Sequence, residues 1–235
     1  MFKLFKKKEE KAERPRVPHS WNEISINRYN EICDIYEENS LDSETERNMA
    51  VLAVLLDMDE DAVYDLPIEW VRDYMKDLNF LGDFKFDTKW RQSNITIKGQ
   101  KYDVMVDANK MTTSQYIDYQ TFWAEDDKRK IMAQLLSCFI IPHGAKYNDG
   151  SYDLEELRQI IADNISITLA NSVCFFFLIK STQSLLNSQV YGIRQMRKMM
   201  KTKSLTEEEK ENLNLKIKEA ESLLSTMVGL VYLKR

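Results

Sequence analysis

Residues 172–179, with the sequence SVCFFFLI, are the apolar centre of a long segment that runs from Ile165 to about Lys203. A helix that is hydrophobic on every side belongs in the centre of a bundle. The apolar run from Val173 to Ile179 has seven residues, whereas a membrane-spanning helix needs about 20. The segment therefore predicts a central bundle helix and no membrane span.

The stretches on both sides of this segment also have helical patterns. Short polar side chains that can cap a helix N-terminus precede several amphipathic stretches, and some form a capping box with a Glu three residues later. The expected capping boxes are Ser43 with Glu46, Asp153 with Glu156, and Thr206 with Glu209, and Ser25 is a further expected N-cap. The helix after Thr206 is expected to pack back on the central helix as a hairpin.

Two shorter helices are predicted from proline positions and apolar spacing. One starts at Pro67, where the missing N–H costs nothing. The residues expected on its buried face are Ile68, Val71, Met75 and Leu78. The other covers residues 131–140 and ends before Pro142.

The middle of the chain changes to the alternating pattern of β-strands. The alternating apolar residues are Ile95, Ile97, Tyr102, Val104 and Val106, with Gly99 between the two runs. This pattern predicts a β-hairpin with glycine at the turn, and Phe84 and Phe86 alternate in a way that suggests a third strand. Because two strands alone are marginally stable, we expect the hairpin to pack on the helices or to pair with another chain.

These patterns predict a mainly α fold with a small antiparallel β-hairpin, in the α+β class: a helical bundle with an inserted hairpin. Six Gly and four Pro in 235 residues disfavour a turn-rich all-β fold. The expected regions are an extended basic N-terminal arm (1–20), an acidic helical lobe (21–82), a β-hairpin region (83–110), and a helical bundle with a C-terminal helical hairpin (111–235).

Charge is distributed unevenly along a chain whose net charge is −5. Residues 1–16 have a net charge of +4, residues 34–83 of −12, and residues 180–204 of +6. Blocks of opposite sign suit complementary protein surfaces as well as nucleic acid, and a merely solvated helix face is the simpler alternative. A pI near 5.3 and the acidic lobe argue against a dedicated DNA-binding domain, while non-specific DNA contact by the basic helix stays open.

The sequence contains no motif for catalysis, cofactor binding or metal binding. The acidic string 57–61 lacks the Gly and Glu that an EF-hand loop requires at its sixth and twelfth positions, where Ala62 and Ile68 stand. His143 occupies a loop that would suit function, but no nucleophile or metal ligand stands at a recognised spacing from it. We therefore expect a non-enzymatic protein with no catalytic residue, no cofactor and no metal.

The three cysteines are widely spaced and odd in number, which predicts free thiols in a reducing compartment. The N-terminus is charged and has no apolar core, so we expect no secretory signal.

Two groups of residues are candidate interface residues. In the arm these are Phe2, Phe5, Lys6, Lys7 and Lys8, because two aromatic rings in a basic stretch are unusual for a solvated tail. In the basic helix these are Arg194, Arg197, Lys198 and Lys201, which stand among methionines that suit an adaptable partner surface.

Three stretches carry a resemblance to a known group of proteins. They are SWNEISINRYNEICDIY (20–36), ITIKGQKYDVMVDANKMTTSQYIDYQTF (95–122) and IIPHGAKYNDGSYDLEELRQII (140–161). Their order resembles small virion and tail-assembly proteins of tailed bacteriophages, especially crAss-like phages that infect Bacteroidetes, over about residues 18–180.

The resemblance implies a viral structural protein and leaves three roles open: a portal-associated ring subunit of the neck or tail, a cargo protein that is ejected from the particle, or a tail assembly chaperone. The expectation favoured here is a homo-oligomeric ring, of twelve copies by the same resemblance, that contacts other neck, tail or portal proteins. Its location would be the virion, and the host cytoplasm during assembly.

Overall fold

The structure, a computed structural model, describes residues 14–38, 43–84, 92–105, 107–202 and 205–232. The helices are α1 (Ile26–Glu37), α2 (Glu44–Leu56), α3 (Glu60–Tyr64), α4 (Ile68–Asp77), α5 (Thr113–Ala124), α6 (Met132–Ser137), α7 (Leu154–Asn164), α8 (Ile167–Thr202) and α9 (Glu207–Tyr232). The strands are β1 (Asn94–Ile97), β2 (Gln100–Val104) and β3 (Ile140–Pro142), and short 3-10 helices cover Trp21–Glu23, Leu78–Gly82 and Ala108–Lys110. The predicted α+β class, mainly helical with a small antiparallel sheet, is confirmed.

The described residues belong to two compact units. Unit 1 takes those of Met1–Phe86 and Ile160–Leu169, and unit 2 takes those of Asp87–Gln159 and Ala170–Arg235.

Several helix starts are determined by their own side chains. The capping boxes at Ser43 and Thr206 form as predicted, and the Ser25 hydroxyl accepts the N–H of Arg28. Asp153 accepts the N–H groups of both Glu155 and Glu156. These partners lie within three residues of the cap, which explains why the sequence pattern alone predicted them.

Unit 1 packs α1 to α4 around an apolar cluster. The 3-10 helix before α1 and each of the helices α1 to α4 contribute a side chain to this cluster, for example Trp21, Ile32, Leu52, Val63 and Tyr74. Each large side chain buried in this way adds roughly 1.5–3 kcal/mol to the free energy of unfolding.

A two-way backbone bridge joins the start of α1 to the chain just before α8. The Ile26 N–H donates to the Ile165 carbonyl at 3.1 Å, and the Ile167 N–H donates to the Ile24 carbonyl at 2.9 Å. The side chain of Asn27 donates to Asp163 at 2.6 Å. Residues distant in sequence thereby complete unit 1.

The predicted buried face of α4 is wrong at its first residue. Ile68 is 69% exposed, whereas Tyr74 is buried in the cluster. The face that packs is Val71, Tyr74, Met75 and Leu78, which follows the i, i+3, i+4, i+7 spacing of a helix. Tyr74 tolerates burial because its hydroxyl donates to the Pro15 carbonyl at 2.7 Å.

The predicted hairpin is confirmed in unit 2. Ile95 pairs with Tyr102 and Ile97 with Gln100 in an antiparallel register. The two turn residues, Lys98 and Gly99, both have positive φ, of 47° and 80°. Two positive-φ residues form the type I′ turn whose twist matches a two-residue hairpin.

The third strand suggested by Phe84 and Phe86 does not include Phe84, and the rest of that prediction falls outside the described residues. Phe84 lies outside any strand and its ring contacts Trp21 within unit 1, and Phe86 and Val106 lie outside the described residues. The strand that pairs with β2 is β3, with Val104 opposite Ile140. The predicted helix over 131–140 therefore ends at Ser137, because the backbone of Ile140 and Ile141 pairs with β2 instead.

The C-terminal helical hairpin forms within unit 2. Ile193 on α8 packs with Ile217 and Ala220 on α9, and Met196 and Met200 pack against this cluster. In the first third of α8, Val173 and Phe177 are buried, whereas Cys174, Phe175 and Phe176 between them are half-buried.

Candidate interaction surfaces

The four basic residues predicted near the end of α8 form one exposed stripe. Arg194, Arg197, Lys198 and Lys201 are exposed and follow the i, i+3, i+4, i+7 spacing. The neighbouring stripe of Ile193, Met196 and Met200 holds α8 against α9. The helix therefore presents four cations side by side, with their backbone held in place by the hairpin.

The arm residues Phe2, Phe5, Lys6, Lys7 and Lys8 lie outside the described residues. The described chain begins at Arg14, whose guanidinium forms an ion pair with Asp73 at 3.1 Å and lies 4.4 Å from the ring centroid of Tyr74. Together with the hydrogen bond from Tyr74 to Pro15, these contacts attach the first described residues to α4.

An acidic cleft of about 1010 Å³ lies within unit 1. Its carboxylates come from α1, α3, the end of α7 and the segments beside α1 and α3: Glu23, Glu31, Asp57, Asp59, Glu60 and Asp163. The cation in the lining is Arg28, which lies 3.5 Å from Asp57. A surface with this excess of carboxylates attracts a cationic partner surface.

The acidic string 57–61 lies between α2 and α3 and supplies the first residues of α3. Asp57 ends α2 in the left-handed conformation, with φ of 57°, and Asp59 precedes α3. Among the described residues, no group of three or more His, Cys, Asp or Glu side chains is placed to hold a metal ion.

The exposed face of α5 is a feature that the sequence reasoning missed. Tyr116, Ile117 and Trp123 are 49%, 55% and 38% exposed. The charged residue in this helix is Asp118, which is half-buried, so the exposed face of α5 has no charged side chain. Exposed helix faces are normally charged. The sequence does show the exception, because one of the twelve residues of α5 is charged.

The opposite face of α5 is held by buried polar contacts. Gln115 is 0% exposed, and its amide donates to the Cys138 carbonyl at 2.6 Å while the Thr112 N–H donates to its oxygen. Tyr147 donates to Asp118 at 2.7 Å. Burial raises the pKa of Tyr147, and burial raises the pKa of Cys138 to about 12. These contacts give α5 a definite rotation about its axis.

Aromatic rings extend this support. Tyr119 stacks on Trp123 with 6.0 Å between ring centroids and meets Phe177 edge-on at 4.9 Å. The Lys128 ammonium lies 5.4 Å from the Trp123 ring centroid. Trp123 is therefore held between Tyr119 and Lys128, with part of its ring in contact with solvent.

His143 and Asp103 form a pair at the end of the sheet. Nδ1 of His143 lies 2.8 Å from Oδ1 of Asp103, and the Gly144 N–H donates to the same carboxylate. The hydrogen bond with His143 is the main cause that lowers the pKa of Asp103. The Asp103 carboxylate orients the imidazole, and the His143 backbone N–H donates to the Lys101 carbonyl at 3.0 Å. An imidazole oriented by a carboxylate can act as a general base.

Comparison of the chain with protein-family models, with curated proteins and with solved structures finds no match in any of the three. In the part of the chain that the structure describes, no helix combines the length and the apolar character needed to cross a membrane.

Proposed function

We propose that this chain is a non-enzymatic structural subunit of a tailed-bacteriophage particle, which binds further copies of itself in a ring at the portal-proximal neck or tail. The phage assignment is supported by the resemblance of the three sequence stretches. The self-association is supported by the distribution of charge over the surface.

The observation that carries the self-association is the basic stripe on α8. Four exposed cations on one face are unexpected in a chain with a net charge of −5, and unit 1 of the same chain carries an acidic cleft. Because a surface of each sign is present on every copy, each copy can offer its stripe to the cleft of the next.

A contact between two different surfaces of identical subunits is heterologous. Such a contact generates a closed ring when the rotation between successive subunits closes, and an open filament when it does not. The ring is the closed solution, and it needs no second type of chain to form.

The test is sedimentation velocity of the full chain as a function of salt and of charge reversal. We expect Arg194→Glu with Lys198→Glu to weaken self-association by about tenfold or more, since charge reversal at a complementary interface costs more than about 1.4 kcal/mol. The matched control is Lys216→Glu with Lys218→Glu, which reverses two exposed cations on α9 and should leave the association unchanged. Equal effects of the two double variants, or a chain that stays monomeric at all concentrations, would overturn the proposal.

Mass spectrometry of purified particles tests the location. Presence of the chain in particles at many copies supports the ring, presence at low copy number followed by loss on ejection indicates cargo, and absence indicates an assembly chaperone. If the α8 reversal abolishes binding to a DNA duplex and leaves self-association intact, the stripe is a DNA contact and the proposed interface is wrong.

A further inference from the structure

We infer that the exposed face of α5 is the binding site for residues 1–13 of the N-terminal arm of a second copy of this chain. The inference rests on the proposed function, because it names the contact by which one copy holds the next. It requires the face of α5 to be exposed, uncharged and rigid, and it requires the arm to match α5 in both spacing and charge.

The first argument is the uncharged face itself. Tyr116, Ile117 and Trp123 are exposed on a helix whose rotation is held by Gln115 and Tyr119 on the buried side. Rigid aromatic side chains bind a partner at low entropic cost, which is why they are enriched at the centres of interfaces.

The second argument is the order of the chemical blocks along the two segments. Beyond α5 the chain continues with three acidic residues, Glu125–Asp127, and then three basic residues, 128–130. The arm has Phe2, Lys3, Leu4 and Phe5, then three Lys at 6–8, then two Glu at 9–10. When the two segments are aligned in parallel, residues 2–5 of the arm face the uncharged surface of α5. The basic block of the arm then faces the acidic residues 125–127, and the acidic block of the arm faces the basic residues 128–130.

The third argument is spacing. Tyr116 and Trp123 are separated by two helical turns, about 10 Å at 1.5 Å per residue. Phe2 and Phe5 are three residues apart, and an extended polyproline-II chain places such residues on the same side with a separation of about 9 Å. One arm can therefore place a Phe beside each of the two exposed rings.

The charged blocks then follow in register. Within the described residues, Asp127 already forms ion pairs with Arg129 at 3.5 Å and Lys130 at 3.7 Å, so Glu125 and Asp126, both exposed, are the acidic partners for Lys6–Lys8. The attachment of the arm at Arg14 and Pro15 leaves 13 residues before it, and these can reach roughly 45 Å when extended.

The experiment is photo-crosslinking between two isotopically distinct full-length copies. An unlabelled chain carries a photoreactive phenylalanine analogue at position 5. It is mixed with an isotopically heavy chain, first with an unchanged α5 and then with the α5 variants. We expect crosslinks from position 5 to heavy peptides that contain residues 113–124.

Variants of the heavy copy test the specificity of that contact. Tyr116→Ser with Ile117→Ser should lower the heavy crosslink about tenfold, which corresponds to about 1.4 kcal/mol, because the substitutions remove two anchors of the interface. Tyr191→Ser, which removes an exposed aromatic residue from α8, is the matched control and should leave the crosslink unchanged. Circular dichroism confirms that each variant remains folded.

A charge exchange tests the alignment. Lys6→Glu with Lys7→Glu in the light copy should weaken the crosslink, as should Glu125→Lys with Asp126→Lys in the heavy copy, and the two combined should restore it. Crosslinks confined to the light chain itself, crosslinks to another surface, or failure of the exchange to restore the yield would overturn the inference.

Sedimentation of the same mixtures separates this inference from the proposed function. If copies associate while position 5 crosslinks elsewhere, the α5 site is wrong and the ring proposal survives. If the chains are monomeric and all crosslinks are intramolecular, both fail.

Discussion

The two units stabilise their interiors in different ways. In unit 1 the principal cluster consists of apolar side chains, whereas unit 2 buries Gln115 next to a cluster of aromatic rings and satisfies it with backbone groups. An apolar core tolerates changes that keep its volume, while a buried amide tolerates no change that leaves its partners without hydrogen bonds. Unit 1 should therefore respond to changes in side-chain size, and unit 2 to loss of polarity.

The largest expected contrast is in cysteine reactivity. Burial raises the pKa of Cys138 and of Cys174 in unit 2 to about 12 each, so roughly one thiol in ten thousand is ionised at pH 8 and alkylation should be about a thousandfold slower than for an ordinary thiol. The partly exposed Cys33 of unit 1 should be modified first. Mass spectrometry after timed alkylation measures this, and modification of Cys138 as fast as Cys33 would mean that unit 2 opens readily.

Truncation of an apolar side chain should be the most damaging single change in unit 1. Leu52 is fully buried in the cluster, so Leu52→Ala should lower the free energy of unfolding by about 3 kcal/mol, and Leu52→Met, which keeps most of the volume, by less than about 1.5 kcal/mol. Urea denaturation measures both. Similar losses for the two variants would show that the core of unit 1 depends on shape more than on volume.

Removal of the buried amide should weaken unit 2. Gln115→Leu keeps the size of the side chain but leaves the Cys138 carbonyl and the Thr112 N–H without their partner, at a cost of about 2 kcal/mol. Gln120→Leu places the same change on the exposed face of α5 and is the matched control. Equal stability of the two variants in urea denaturation would remove the distinction between the two cores.

The smallest expected effect is at the Asp103–His143 pair. The pKa of Asp103 is lowered in the folded protein, first by its hydrogen bond with His143, so its contribution to stability is present above the unfolded value near 4 and is lost as pH falls through the lowered value. Because the side chains of His143 and Asp103 are 56% and 40% exposed, Asp103→Asn should cost no more than about 0.5 kcal/mol at pH 7, and the difference should vanish in acid. A difference that grows below pH 4 in pH-dependent denaturation would contradict this.

Features that depend on neighbouring residues were predictable. The capping boxes at Ser43 and Thr206 and the turn at Gly99 each involve partners within a few positions. The stripe of Arg194, Arg197, Lys198 and Lys201 was also predictable as a group, because helical spacing places these residues together.

Features that depend on distant partners were not predictable in the same way. Ile140 lies in an apolar run with helical spacing, yet it pairs with Val104 in a strand. The reason is that the backbone groups at the free edge of β2 form hydrogen bonds with residues 140–142 in place of the bonds within a helix. The low charge of α5 could be read from its composition. Its exposure could not, because the face that is buried is set by the hydrogen bonds of Gln115.

The sequence by itself determined where most helices begin, where the hairpin turns and where charge of each sign accumulates, because these properties are set by a residue and its near neighbours. Only the tertiary structure decided that residues 140–142 form a strand, that Ile68 faces solvent and that α5 exposes its aromatic side chains. In each of these cases the deciding partner is remote in the chain, and burial or hydrogen bonding with that partner outweighs the local preference.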